Sequence, residues 1–214
     1  MHYLLLAYGA EDAWTDAERT DCMVESLAAC DRLAAEGKYL AASPLLPAST
    51  ASTTHVREGR PLVTDGPFAE TTEHLGGFFL LDLADLDEAI AVAAALPPAR
   101  KGTIEIRPVL ELRGEPQPAP GAVALLGYGA DAAPDGVAAA IRLRPADTAT
   151  CVRVRDGVRA VTDGPFDAAA AQLGSVSVVV GEAPDHPTAH TGAVEARPLF
   201  DLTPVRNAMT LEAR

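Results

Sequence analysis

The side chains best suited to acid–base chemistry in this sequence lie within and just after the segment Val-Thr-Asp-Gly-Pro-Phe at residues 63–68. Asp65 begins the Asp-Gly-Pro-Phe part of this segment, and Glu70 and His74 follow it. Two carboxylates that meet in a cleft can share a proton, and a nearby imidazole titrates close to neutral pH. These residues indicate one candidate catalytic site, in which Asp65 transfers a proton together with Glu70 or His74.

The same segment has the composition of a tight turn, which is the alternative interpretation. An Asp accepts backbone N–H bonds, a Gly takes positive φ, a Pro fixes φ near about −65°, and a Phe can anchor the loop. The segment recurs letter for letter at residues 161–166, but there it has no counterpart of Glu70 or Glu73. Because the turn is kept where the carboxylates are lost, a structural role is favoured, and His74 is then an ordinary surface histidine.

A second pair of charged residues, Glu105 and Arg107, alternates with isoleucines and therefore shares one face of a strand. Glu195 and Arg197 repeat the pair. The simpler interpretation is an ion pair, or an arginine bonded to the Asp-Gly-Pro-Phe turn. The alternative is a guanidinium that binds a carboxylate or phosphate of a ligand, and Arg57 is a weaker candidate of the same kind.

The sequence contains no strong motif for a metal, a nucleotide or a redox thiol. His186 and His190 are four residues apart, a spacing that suits a metal only on a helix, and Pro187 opposes a helix there. A glycine-rich phosphate loop, a Gly-x-Ser-x-Gly elbow and a Cys-x-x-Cys pair are all absent from the sequence. We therefore predict neither a metal nor a cofactor.

Composition limits the classes of partner. The net charge of −13 and the lack of any lysine or arginine cluster argue against nucleic acid and against an anionic membrane. No segment approaches the roughly 20 apolar residues of a membrane-spanning helix, and the N-terminus lacks the features of a signal peptide. We expect a cytoplasmic protein whose three cysteines are reduced.

The two halves of the sequence match beyond these six letters, at three different offsets. Residues 5–10 match 125–130, residues 45–53 match 143–151, and residues 104–112 match 194–202. The offsets are therefore 120, 98 and 90, so the second half is shorter at two places where the first has a helical pattern. The sequence predicts a tandem duplication whose second copy has lost most of its helical material.

Local signals place the elements of this repeat. One helix is predicted between a Thr15–Glu18 capping box and Gly37, and another between Asp85 and the prolines at 97–98. Strands are predicted near residues 2–8, 39–46, 53–57, 60–64, 75–82 and 103–112, and then near 122–128, 138–144, 150–155, 158–162, 173–181 and 193–202. The predicted organisation is a first copy at 1–112, a proline-rich linker at 113–121, a second copy at 122–202 and a C-terminal tail at 203–214.

Substitutions between the copies indicate which face of the sheet the lost helices covered. Phe79 corresponds to Ser177, whereas Phe78 corresponds to the apolar Val176. Phe79 is therefore predicted to lie beneath the helices and Phe78 to face an opposite sheet, leaving the Ser177 face exposed and polar. We expect a cleft between two packed sheets. Its predicted ligand-binding residues are Phe78, Leu80, Glu105, Arg107 and Arg57.

The first copy resembles the DGPF-motif branch of the YCII-related proteins. The likeness lies in TTHVREGRPLVTDGPFAETTEHLGGFFLLDLADLDEAI at residues 53–90 and GTIEIRPV at residues 102–109. The resemblance implies an α+β, ferredoxin-like βαββαβ unit of the dimeric α/β-barrel type, with no established reaction. Here the dimer would be an intrachain pseudo-dimer whose second copy is nearly all-β. Members of this branch are often associated with extracytoplasmic-function sigma factors.

Three functions follow as hypotheses. The leading one is binding of a small molecule in the inter-sheet cleft. The second is an enzyme that uses Asp65, Glu70 and His74 on a small polar substrate, and the third is an interaction or regulatory module linked to sigma-factor signalling. The sequence names no ligand, and it allows either a monomeric pseudo-dimer or a homodimer.

Overall fold

The structure is a computed structural model that describes residues 1–57, 60–129, 137–180 and 192–212, without the side chains of residues 57 and 212. The helices are α1 (Asp16–Ala35), α2 (Leu86–Ala95) and α3 (Thr203–Glu212). The N-terminal half contributes β1 (His2–Gly9), β2 (Tyr39–Pro44), β3 (Ser52–Arg57), β4 (Arg60–Asp65), β5 (His74–Asp82) and β6 (Thr103–Arg113). The C-terminal half contributes β7 (Val123–Tyr128), β8 (Ala140–Leu143), β9 (Thr150–Arg155), β10 (Val158–Asp163), β11 (Leu173–Val179) and β12 (Ala193–Pro198).

The first two helices begin and end at the residues that the sequence predicts. The Thr15 hydroxyl accepts the backbone N–H of Glu18 at 3.3 Å, and the Glu18 carboxylate accepts the Thr15 N–H at 2.9 Å. Gly37 follows α1 with φ of 72°, a conformation that favours glycine. Asp85 caps α2 by accepting the Glu88 N–H at 2.9 Å. Both predicted caps are confirmed.

The residues predicted as a C-terminal tail form α3, which packs on α1. Arg206 of α3 lies 3.3 Å from the carboxylate of Asp31 on α1. Of the helices in the described part of the chain, none has both the length and the apolar character needed to cross a bilayer. The helical layer over the N-terminal half therefore includes a segment from the far end of the chain.

The strands form two six-stranded sheets that exchange hairpins. Sheet 1 has the order β2-β5-β1-β6-β9-β10, and sheet 2 has the order β8-β11-β7-β12-β3-β4. In sheet 1 the hairpin of the C-terminal half pairs with β6, with Cys151 opposite Glu105. In sheet 2 the hairpin of the N-terminal half pairs with β12, with Thr53 opposite Glu195. Each half therefore completes the sheet of the other.

The two sheets are also joined to each other along both sides. The C-terminal part of β6 continues past β9 and pairs with β8, with Leu112 opposite Ile141. On the other side, the chain after β12 meets the chain after β2, where Leu46 N donates to Pro198 O at 2.9 Å. These contacts hold the sheets face to face with a shared interior.

The interior between the sheets is a packed apolar core. Phe78 and Leu80 of β5 contact a cluster that includes Leu126 and Val176 of sheet 2. The opposite face of sheet 1 packs Phe79 beneath α1 and α2. The predicted orientations of Phe78 and Phe79 are confirmed. The predicted inter-sheet cleft is filled by side chains, since Phe78 is 1% and Leu80 0% exposed.

The outer face of sheet 2 differs from the exposed polar surface that the sequence predicts. Ser175 and Ser177 are 1% and 0% exposed. Leu125 and Val194 on the same face belong to a buried apolar cluster that also contains Val137, which lies just before β8. The prediction of an exposed polar face was therefore wrong at these two serines, which are buried on a face that also carries an apolar cluster.

Candidate functional site

The three residues predicted to transfer protons are not brought together. Asp65, at the end of β4, and Glu70 are both exposed. His74 begins β5 and is half-buried, with Nδ1 3.5 Å from the Thr71 hydroxyl. Within the described residues, no hydrogen bond joins any two of the three predicted side chains. The structure therefore provides no assembled carboxylate pair at this turn.

Glu105 and Arg107 form a buried ion pair on the inter-sheet face of β6. Arg107 Nη1 lies 3.1 Å from Glu105 Oε1, and the residues are 1% and 0% exposed. The guanidinium also donates to the carbonyl oxygens of Arg144 at 2.7 Å and Leu173 at 3.2 Å. Because carbonyl oxygens of the C-terminal half accept these hydrogen bonds, the guanidinium of Arg107 has no free pair of N–H donors for a carboxylate or phosphate of a ligand.

The carboxylate of Glu105 holds the Asp-Gly-Pro-Phe turn of the other half. Phe166, the last residue of the second such turn, donates its backbone N–H to Glu105 Oε2 at 2.7 Å. The Phe166 ring stacks on Tyr8 of β1, with ring centroids 4.7 Å apart. A residue of the N-terminal sheet therefore fixes a turn that lies in the C-terminal half.

The equivalent residues repeat this arrangement with the halves reversed. Phe68 donates its N–H to Glu195 Oε2 at 2.9 Å and stacks on Tyr128 with centroids 4.1 Å apart. Arg197 bonds Glu195 and donates to the carbonyl of Leu75 at 2.6 Å. The structural interpretation of both motifs accounts for these contacts: the glutamate anchors the turn and the arginine anchors the glutamate.

Burial governs the electrostatics of these anchors. Desolvation raises the pKa of Glu105, and the N–H of Phe166 and the guanidinium of Arg107 act against that rise. Desolvation also raises the pKa of Tyr8 and of Tyr128. These phenols therefore stay protonated at neutral pH and act as neutral packing groups.

A cavity lies between α1 and sheet 1. A cavity of about 580 Å³ is bounded on one side by α1, including Cys22 and Ser26, and on the other by strand ends that include Ala42 and Gly77. The start of α3 and linker residues 118–120 line it as well. Its size is typical of cavities that hold small organic ligands.

Small side chains on both walls produce this cavity. Cys22 and Ser26 are one helical turn apart on α1, and Ala42 and Gly77 lie across from them. Gly77 cannot be larger, since a Cβ there would lie 2.9 Å from the carbonyl oxygen of Ser43. The small side chains at these four positions therefore leave room between the helix and the sheet, beside larger residues such as Met23 and Tyr39 that also line the cavity.

The interior of the cavity is mainly apolar and its rim is charged. Trp14 and Phe79 contribute aromatic surface. Glu11, Arg19 and Arg206 also line it and are exposed, which places them at the rim. Arg19 donates to the carbonyl of Glu11 at 2.7 Å. A ligand would therefore meet polar groups at the entrance and apolar ones inside.

Only some of the site residues predicted from the sequence line this cavity. His74 and Phe78 line it, whereas Asp65, Glu70, Leu80, Glu105 and Arg107 do not. The side chain of Arg57 lies outside the described part of the chain. The sequence analysis did not predict this cavity. The sequence feature that could have indicated it is the spacing of the small residues Cys22, Ser26 and Cys30, one turn apart on α1, together with Gly76-Gly77 on the facing strand.

Neither thiolate nor metal chemistry is evident at the described residues. Burial raises the pKa of Cys30 to about 11, so this cavity-lining thiol stays protonated at neutral pH. No three His, Cys, Asp or Glu side chains within the described ranges cluster as metal ligands would. His186 and His190 lie outside those ranges.

Comparison with known proteins identifies the family. The YCII-related domain matches residues 1–113. An uncharacterised protein of Rhizobium meliloti (strain 1021) is 38% identical over 114 residues, which cover 51% of this chain and 92% of the relative. A match over more than half of the chain shows that this protein belongs to the YCII-related family.

Proposed function

We propose that this protein binds a small, largely apolar molecule in the cavity between α1 and sheet 1. The observation that carries the proposal is a cavity of about 580 Å³ in an otherwise tightly packed chain. Ligand sites are usually clefts of this size with mainly apolar walls and a few polar groups. A space of this kind at a helix–sheet junction is therefore a candidate ligand site.

The apolar walls give a ligand a source of binding free energy. The cavity opens to solvent at its charged rim, so water has access to it. An apolar ligand gains free energy by releasing water from these walls.

The lining defines the chemical class of the ligand. Trp14 and Phe79 suit an aromatic or branched apolar body, and Ser26 and His74 offer the hydrogen-bonding groups of the interior. At the rim, Arg19 and Arg206 offer guanidinium groups to an acidic end of a ligand, beside the carboxylate of Glu11 and with Arg206 also 3.3 Å from Asp31. We therefore expect an apolar molecule with one acidic or polar end.

We also propose that the chain is a fused pseudo-dimer of the DGPF branch, formed by tandem duplication. The order β2-β5-β1-β6 fits the expected ferredoxin-like unit, and the order β8-β11-β7-β12 fits its counterpart. The exchanged hairpins and the paired anchors support two related halves. In this proposal the N-terminal copy, to which α1 belongs, holds the ligand.

The other two hypotheses have less support. For the enzyme, only His74 lies at the cavity, and Asp65 and Glu70 are exposed elsewhere. The regulatory module linked to sigma-factor signalling stays a prediction from the family resemblance. Cytoplasmic localisation likewise stays a prediction from the sequence.

A cavity-filling variant tests the proposed site. Ser26→Phe places an aromatic ring in the cavity from the inner face of α1, and Ala34→Phe places the same ring on the exposed face of the same helix. The probe is 1-anilinonaphthalene-8-sulfonate, an apolar fluorophore with one acidic group. We expect Ser26→Phe to weaken its binding by about tenfold or more, a change of about 1.4 kcal/mol, and Ala34→Phe to leave it unchanged.

The same two variants define the contradicting results. Unchanged near-ultraviolet circular dichroism is required of both, because the dye also binds loosened proteins. Equal dye affinity of wild type and a well-folded Ser26→Phe would place the binding elsewhere. A screen of small apolar acids by thermal shift then identifies the class, since a ligand at 100 times its Kd stabilises by about 2.7 kcal/mol.

A further inference from the structure

The outermost strand of sheet 1 is an open edge. Among the described strands, β10 pairs with β9 alone. All six of its residues are exposed, with Val158 at 69% and Val161 at 40%. An exposed edge strand presents unpaired backbone N–H and C=O groups that another strand can bond.

The equivalent edge of sheet 2 is blocked by a proline. In the N-terminal hairpin, Pro61 of β4 lies opposite Val56, and in the C-terminal hairpin Arg159 of β10 lies opposite Val154 in the same register. Proline has no N–H, so within a sheet it occupies positions whose N–H would point away from the paired strand. Pro61 therefore occupies an outward-pointing position of β4. Arg159 occupies the same position of β10, and its backbone N–H points outward and is free.

The residues of β10 whose backbone groups point outward carry charges that can pair with those of a second β10 strand. Every second residue from Arg159 shares its direction, which gives Arg159, Val161 and Asp163. If two such strands run antiparallel with Val161 opposite Val161 of a second copy, each Arg159 lies opposite an Asp163 of the other. Neither Arg159 nor Asp163 has a side-chain hydrogen bond or ion pair within the described residues.

We propose that β10 pairs antiparallel with β10 of a second copy of this chain, so that sheet 1 continues across a two-fold homodimer. The pairing adds main-chain hydrogen bonds at three outward positions and joins two Arg–Asp pairs around a central Val161 contact. A second copy is the occupant because, when two β10 strands run antiparallel, the Arg159 of each meets the Asp163 of the other. This two-fold contact uses the same edge on both chains, which closes the assembly at two chains. The net charge of −13 on each copy opposes association, so dimers form at high protein concentration and at moderate salt.

Sedimentation equilibrium of the full chain over a range of concentrations tests the pairing. Arg159→Pro copies into β10 the proline that β4 already accommodates at the same register position. We expect this variant to weaken dimerisation by about tenfold or more. The matched control is Arg60→Asp on the outer strand of the other hairpin, which is expected to dimerise like the wild type.

A charge exchange separates the pairing from general effects on folding. Arg159→Asp alone and Asp163→Arg alone each place like charges opposite each other, so each is expected to be monomeric. Mixing the two variants restores opposite charges at every pair and is expected to give heterodimers, and the double variant is expected to dimerise as the wild type does. Three results would overturn the proposal: a wild type that stays monomeric at every concentration, single variants that dimerise normally, or a mixture that does not associate.

Dye binding in the cavity is independent of all these outcomes.

Discussion

Replacing Glu105 by alanine should be among the most damaging single changes in this protein. The change leaves the guanidinium of Arg107, which is 1% exposed, without its anion, and the N–H of Phe166 without its acceptor. Removing one member of a buried ion pair typically costs about 3–5 kcal/mol. Since Arg107 retains its carbonyl partners, we expect a total loss within that range.

Urea denaturation followed by circular dichroism and by the fluorescence of Trp14, the one tryptophan, measures this loss. In a chain of 214 residues it corresponds to a fall in Tm of about 6–20 °C. Glu105→Gln should lose less, because its amide oxygen can still accept the Phe166 N–H. The control is Glu25→Ala, which breaks a pair with Arg100 in which both side chains are about half exposed, and it should cost about 0–1 kcal/mol. If Glu105→Ala is within about 1 kcal/mol of this control, the anchoring role is wrong.

Two further predictions concern titrating groups. Burial raises the pKa of all three thiols, to about 11 for Cys30 and about 12 for Cys151. Because Cys22 is partly exposed and the other two are buried, Cys30 and Cys151 should react with iodoacetamide at pH 8 far more slowly than Cys22, and denaturation should remove the difference, as mass spectrometry would show. Hydrogen bonds from Lys101 and Thr15 lower the pKa of Glu18 from an ordinary 4.5 to about 2, so its stabilising contribution is complete above pH 4.5 and disappears as the pH falls through 2. Urea midpoints of wild type and Glu18→Gln should therefore differ at pH 7 and converge near pH 2, and a constant difference would contradict the assignment.

Local structure followed from local chemistry. The caps at Thr15 and Asp85 were predictable because each is a short-range exchange of hydrogen bonds between residues three apart. The orientations of Phe78 and Phe79 were predictable because a strand alternates its faces, and the matching segment has Val176 and Ser177 at the two positions. Each of these inferences depends on a period or a spacing within one element.

The pairing of distant segments could not be predicted in the same way. The alternation of β9 identifies a strand but does not say that its partner is β6 of the other half. The hydrogen bond from the Phe166 N–H to Glu105 joins residues 61 apart in sequence, and the identity of neither residue indicates that the other is its partner. The cavity depends on which small residues of α1 face Gly77, so an inter-sheet cleft was expected at a place where the core is in fact closed.

The exchange of hairpins between the sheets has a consequence for how the chain can be divided. Since β9 and β10 form the border of the sheet that α1 covers, a fragment that stops before them would lack two of the six strands of that sheet. Such a fragment would expose β6 as an unpaired edge, which favours aggregation. The two halves are therefore expected to depend on each other for folding.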